Sequence, residues 1–145
     1  HDLTVQLYSS KLPFGLHASL VGYYQSGFPY TGTYEKPSGE PVEDTINKYG
    51  KRAPAFRQID ISFSKYLSYK DMKVSLGLNI FNLFDIRNVV DLYPETGDPD
   101  NRSEYYMKDV KLTEDGGIIS NSYYDTPWHY STPREINVFM RIDYK

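Results

Sequence analysis

The residues of this chain best suited to chemistry by type and spacing lie in Gly97-Asp98-Pro99-Asp100-Asn101-Arg102-Ser103-Glu104. Asp98, Asp100, Asn101 and Glu104 offer hard oxygen ligands at near-alternate positions, the kind of donor set that suits calcium. The EF-hand pattern also needs a third ligand and a glycine that are missing here, so the run reads as a solvated turn made by its Gly-Asp and Asp-Pro steps. His1, His17 and His129 have no metal-ligand spacing and no carboxylate at a telling offset. Cysteine is absent, which removes thiolate sites and disulfides and leaves the redox compartment open. We assign no catalytic residue, no metal ligand and no cofactor, and expect no enzymatic activity.

A second set is aromatic. Tyr105, Tyr106, Tyr123, Tyr124 and Trp128, with Tyr130 and Asp125 beside them, make one long loop aromatic and polar at once. Such surfaces suit stacking against a sugar or a chelate; packing of the loop against its neighbours would use the same residues. The first five are the candidate ligand-binding residues. A third set, Gln58, Asp60, Asn79, Asn137, Arg141 and Asp143, lies in segments of strict alternation and depends on what holds those segments.

Those segments are β-strands. From Met72 the apolar residues Met72, Val74, Leu76, Leu78 and Ile80 alternate with Lys73, Ser75, Gly77 and Asn79 in a run reaching Phe84. A side-chain period of two gives a strand with one oily and one polar face. Asp2 to Tyr8, about Leu16 to Ser26, Phe56 to Tyr66 and Glu135 to Tyr144 repeat the pattern, with Val21 and Tyr23 blurring it in the second. Five antiparallel up-and-down strands are therefore expected. On their polar faces Arg141 and Asp143, with Asp60 if the register allows, are placed to pair.

The connections alternate between short (Ser9 to Gly15, Leu67 to Asp71) and long (Gly27 to Pro54, Asp85 to Pro133). Antiparallel order puts both short turns at one end of the sheet and both long loops at the other. Neither long stretch has a clear strand period, apart from a small hairpin expected around Val110, Leu112 and Ile118. An outer-membrane barrel keeps this asymmetry, with tight periplasmic turns and extended outer loops. The strand lengths also match the roughly 9 to 11 residues a tilted strand needs to cross a bilayer.

Composition permits that reading. Mean hydropathy is −0.59, but alternating strands average to a hydrophilic score even when one face meets lipid. No apolar run is long enough for a transmembrane helix. The net charge of −3, with both signs interspersed, leaves no nucleic-acid footprint. Fifteen Tyr and seven Phe are many for a chain that is 39% hydrophobic. Tyr8, Phe14, Tyr66, Tyr69 and Tyr144 gather near the short turns, and Phe28, Tyr30, Phe81 and Phe84 near the long loops, as two interfacial girdles would. Tyr66 has the parity of the polar face, so at least one member of the first group does not face lipid.

Certain residues resemble a known family. Phe56-Arg57-Gln58-Ile59-Asp60, then Leu78-Asn79-Ile80-Phe81-Asn82-Leu83-Phe84-Asp85 with Asn88, then Tyr93-Pro94-Glu95-Thr96-Gly97 and a terminal alternating strand are similar to the C-terminal end of TonB-dependent outer-membrane receptors. Gly27-Phe28-Pro29-Tyr30-Thr31 resembles that family's loop entry. The resemblance implies a barrel of about 22 strands around a plug, lodged in outer-membrane lipid and importing an iron chelate, cobalamin or glycan with TonB-derived energy. Residues 1–145 would then be a C-terminal segment whose remaining barrel and plug lie in a longer chain or in partners, since five strands cannot close such a barrel. It implies that Gln58, Asp60, Asn79, Asn137, Arg141 and Asp143 face the lumen. The Asn101-Arg102-Ser103 glycosylation sequon has no meaning in a bacterial barrel. The chain departs from the family's pattern in ending Asp143-Tyr144-Lys145, where an aromatic residue is common. The other class that fits is a soluble antiparallel β-domain binding carbohydrate through its aromatic loop.

Overall fold

The computed structural model describes residues 1–104 and 127–144. They are all-β and form two compact units, one of residues 1–25, 56–87 and 132–144, the other of residues 26–55, 88–104 and 127–131. The first unit is one five-stranded antiparallel sheet of β1 (Asp2–Leu12), β2 (Leu16–Gln25), β7 (Phe56–Tyr69), β8 (Met72–Phe81) and β9 (Glu135–Tyr144), neighbouring in that order. Their lengths are 11, 10, 14, 10 and 10 residues. Each is longer than the five or six residues usual in globular sheets. β1, β7 and β9 run from the end where the long connections attach to the end of the short turns, and β2 and β8 run back.

The register carries one apolar face unbroken across all five strands. Leu7, Leu20, Ile61, Ile80 and Ile136 form one cross-sheet row, and Phe63, Leu78 and Val138 share the next. The same pairing settles β2, whose Leu16, Ala18, Leu20, Gly22 and Tyr24 join the apolar side while His17, Ser19, Val21 and Tyr23 join the polar one. Among register-paired positions only Arg57 and Lys65 bring charge to the apolar face. Among the described residues of this unit no second layer covers it. The buried apolar residues among those described are Ala53 and Leu92, neither in the sheet, while Val138 is 80% exposed and Leu7 62%. A soluble sheet would hide this face against another layer. Among the described residues β1 and β9 each pair on one side only, so no closed barrel is formed.

The turns differ from the sequence expectation in instructive ways. β1 runs on to Leu12 because a bulge between Ser9 and Leu12 absorbs the irregular sequence there. Pro13, which cannot donate to a ladder, then stops it in the tight turn Pro13–Gly15. β7 continues past Tyr66 to Tyr69, because Leu67 and Tyr69 prolong the apolar alternation and pair with Val74 and Met72, leaving Lys70 and Asp71 as the turn. β8 stops at Phe81 rather than Phe84, since Asn82 takes a left-handed conformation (φ 50°) and turns the chain.

In the second unit the stretch expected to lack strands contains four: β3 (Pro29–Tyr30) pairs with β6 (Lys51–Arg52), and β4 (Thr33–Glu35) with β5 (Pro41–Glu43). Strands of two or three residues are too short for alternation to register in a sequence. Gly27 is required there, because the Ala53 carbonyl occupies the space its side chain would need. The hairpin expected around Val110, Leu112 and Ile118 lies outside the described residues.

Candidate functional site

Alternation places a residue on a face, and register decides which residues share it. Gln58, Asp60, Asn79, Asn137, Arg141 and Asp143 all fall on the polar face of the sheet, as the sequence pattern indicated. Asn79 stands between Ser62 of β7 and Asn137 of β9. Local bonds occupy most of the others. Arg141 Nε donates to Asp143 at 3.0 Å, Asn137 Nδ2 to Glu135 at 2.8 Å, and Gln58 Nε2 to Asp60 at 2.8 Å. Asp60 does not join Arg141 and Asp143. It lies toward the long-loop end of β7, and its Oδ1 also accepts the Asn82 amide at 2.9 Å. Because Arg141 and Asp143 are both largely exposed, this surface ion pair adds little stability.

Nearer the short turns, His17 lies between Tyr8 and Tyr66. The Tyr8 hydroxyl is 3.2 Å from His17 Nδ1, and the Tyr66 ring meets His17 edge-on at 5.3 Å. Tyr8 pairs with Ser19 and so belongs to the polar face with Tyr66. Two members of the expected aromatic girdle thus point to the polar side, while Tyr69 and Tyr144 lie on the apolar one. Phe81 is also on the polar face, opposite Glu135.

At the long-loop end Asn82 ties the sheet's first unit together. It is 1% exposed, and every polar atom of its side chain is used. Nδ2 donates to the carbonyls of Ile86 (3.0 Å) and Thr132 (3.2 Å), and Oδ1 accepts the Ile86 amide (2.9 Å). Asp85 adds a bond from the Arg134 amide at 2.7 Å, and the Leu83 amide reaches the Ile59 carbonyl. The Asn82-Leu83-Phe84-Asp85 segment therefore links the ends of β7 and β8 to the start of β9. Sequence reasoning singled out the segment by resemblance and gave Asn82 no role. An amide followed three residues later by a carboxylate, just past an alternating strand, was the available signal.

In the second unit, of the five candidate ligand-binding aromatics, Tyr105, Tyr106, Tyr123 and Tyr124 lie outside the described residues. Trp128 is in the 3-10 turn Pro127–His129 and is 62% exposed. Its indole meets the His129 ring in a T-shaped arrangement at 6.1 Å. His129 is buried, and its Nδ1–H donates to the Pro99 carbonyl at 2.6 Å. Nε2 stands 3.8 Å from an Asp91 carboxylate oxygen, and the Tyr93 ring packs at 4.9 Å. The His129 carbonyl accepts the amides of Val90 and Asp91. His129 thus clamps residues 88–99 to residues 127–131, a role its sequence context did not reveal.

The acidic run is a folded turn. Asp98 Oδ1 accepts the amides of Asp100 and Asn101, and Oδ2 accepts Asn101 Nδ2 at 2.9 Å. Donation by the Asp100 amide, then by the Asn101 side chain, holds its carboxyl below the ordinary 3.8. Asp44 repeats the arrangement: Oδ1 accepts the Ile46 and Asn47 amides, and Oδ2 accepts Asn47 Nδ2 at 2.8 Å. Its pKa is lowered chiefly by the Asn47 side chain. Asp44-Thr45-Ile46-Asn47 and Asp98-Pro99-Asp100-Asn101 are thus two copies of one Asp-x-x-Asn turn, a spacing legible in the sequence and not used. Tyr130 adds a hydrogen bond to Asp100. Among the described residues no group of three His, Cys, Asp or Glu side chains converges as a metal site would.

The arrangement offers a continuous apolar sheet face, a polar face of bonded amides and carboxylates, and loops pinned by Asp-centred turns with one exposed indole. Comparison with protein-family models, curated proteins and solved structures finds no match.

Proposed function

We propose that this chain is the C-terminal part of the barrel wall of a TonB-dependent outer-membrane receptor. In this reading it acts in importing a small nutrient, an iron chelate, cobalamin or glycan, across the outer membrane of a bacterium and performs no catalysis. One observation carries the proposal. Five antiparallel strands of membrane-crossing length share an apolar face on which, among the described residues of their unit, nothing is packed, and their other face is polar. In the bilayer the apolar face would meet lipid and the polar face the lumen, where Gln58, Asp60, Asn79, Asn137, Arg141 and Asp143 would line the wall and face a plug. The remaining strands and the plug would come from a longer chain or from partners, with TonB acting on them. Trp128 would stand in the outer loops and contribute to ligand contact together with Tyr105, Tyr106, Tyr123 and Tyr124. The exposed indole would equally serve a soluble carbohydrate-binding domain, but such a domain would need a further layer over the apolar face that the described residues of the sheet's own unit leave bare.

Nitroxide labels placed singly at Leu76, Leu78 and Val138, and at Ser75, Asn79 and Asn137, test this in the membrane-extracted protein returned to vesicles. The first three should be relaxed by dissolved oxygen and the second three by a water-soluble nickel chelate. Equal accessibility of both sets to the chelate, or a protein that remains in solution without detergent, overturns the reading.

A further inference from the structure

Gly22 is the glycine on the apolar face, flanked by Val5 on β1 and Ile59 on β7. With no side chain there, the face has a notch of about 350 Å³, walled by Val5, Tyr24, Ile59 and Phe84. Nothing in the fold demands glycine at this position. A β-carbon would meet only the Val5 carbonyl oxygen, at 4.0 Å, and no left-handed backbone is involved. The sheet could therefore carry a leucine or valine here and does not. An unfilled apolar hollow forfeits dispersion contacts along its whole lining, and on a face turned to lipid the available filler is hydrocarbon.

Arg57 lies at the border of the same notch, paired directly with Tyr24. It sits one residue from the start of β7, at the long-loop end of the sheet. A planar guanidinium matches phosphate oxygens bidentately, and Tyr24 and Phe84 are the amphipathic and aromatic residues found at headgroup depth. A cation at the mouth and hydrocarbon walls below it are together complementary to an anionic amphiphile.

We propose that the Gly22 notch seats one acyl chain of a lipid with a net anionic headgroup in the leaflet at the long-loop end, with Arg57 holding the headgroup phosphate. This rests on the reading that the apolar face meets lipid. The test uses the extracted protein in phosphatidylcholine vesicles doped with spin-labelled phosphatidylglycerol or spin-labelled phosphatidylcholine. The fraction of each label motionally restricted by the protein is compared.

The wild type should restrict phosphatidylglycerol about fivefold more strongly than phosphatidylcholine, the worth of one basic residue near a headgroup. Gly22→Leu and Arg57→Gln should each bring that ratio close to one, while Lys65→Gln leaves it unchanged. Restriction of both lipids without preference in the wild type leaves the face against lipid and overturns the notch alone. Loss of the preference in Lys65→Gln but not in Arg57→Gln also overturns the assignment. Absence of any restricted lipid overturns both this inference and the proposed function beneath it.

Discussion

The ring of Phe139 on β9 lies over Gly77 on β8, its directly paired neighbour, and fills the space that a β-carbon at Gly77 would take. An aromatic residue laid across a strand glycine shields the bare backbone and fixes the register of the two strands. Gly77→Val should destabilise the folded sheet by about 1 to 3 kcal/mol through overpacking. In a Phe139→Ala background the same change should cost less than half as much, and urea midpoints of all four proteins measure the coupling. Additive costs would show that the contact does not hold the strands.

The two faces of β9 should respond in opposite ways to charge. Val138→Arg should cost about 2 to 4 kcal/mol and prevent detergent-resistant assembly, whereas Asn137→Arg on the polar face should assemble normally. Heat-modifiable mobility in dodecyl sulfate gels reads the outcome. In a soluble sheet that leaves Val138 in water, the two variants would behave alike.

Asn82 combines a left-handed backbone with a fully bonded side chain, and two substitutions separate these. Asn82→Gly keeps the conformation and loses the bonds to Ile86 and Thr132. Its cost should be about 1 to 3 kcal/mol, the range for buried polar groups left unpaired. Asn82→Ala adds strain, about 1 kcal/mol more for a left-handed non-glycine residue. Hydrogen exchange at the Ile86 amide should quicken in both, and more in the alanine variant.

The two Asp-x-x-Asn turns make the loops sensitive to acid. Both carboxyls have folded pKa values below the ordinary 3.8, so the stability they lend is present above that value and is lost as pH falls through the folded pKa. The largest cause at Asp44 is the Asn47 side chain, and at Asp98 it is the Asp100 amide. Asn47→Ala should therefore return Asp44 toward 3.8 more fully than Asn101→Ala returns Asp98. Carbon-13 titration of the two carboxyls checks this, and equal shifts would contradict the ordering.

What alternation encodes could be read from the sequence, and what a single buried side chain encodes could not. β9 occupies the expected Glu135 to Tyr144, because five apolar residues alternate there without interruption. The six polar-face residues share a face because parity within a strand is fixed by covalent geometry. Tyr8, grouped with the short-turn aromatics by position, shares the parity of Thr4 and Gln6 and so falls on the polar side with Tyr66. β3 to β6 escaped notice because pairs such as Pro29 with Arg52 are fixed by backbone contacts across a loop, with no local period. Asn82 and His129 owe their roles to carbonyls far along the chain, Thr132 and Pro99, which no local pattern announces.

The direction of the outer strands has a consequence in parity. β1 and β9 run the same way, from the long-loop end to the short-turn end. A second copy of this sheet joined β9 to β1 would meet it in parallel, so repetition of the unit cannot extend an antiparallel wall. In a closed antiparallel wall the strands beside β9 and β1 would both run the other way, and the complement between them would be odd in number. An even-stranded barrel satisfies that condition, and a ring built only from copies of these five strands does not.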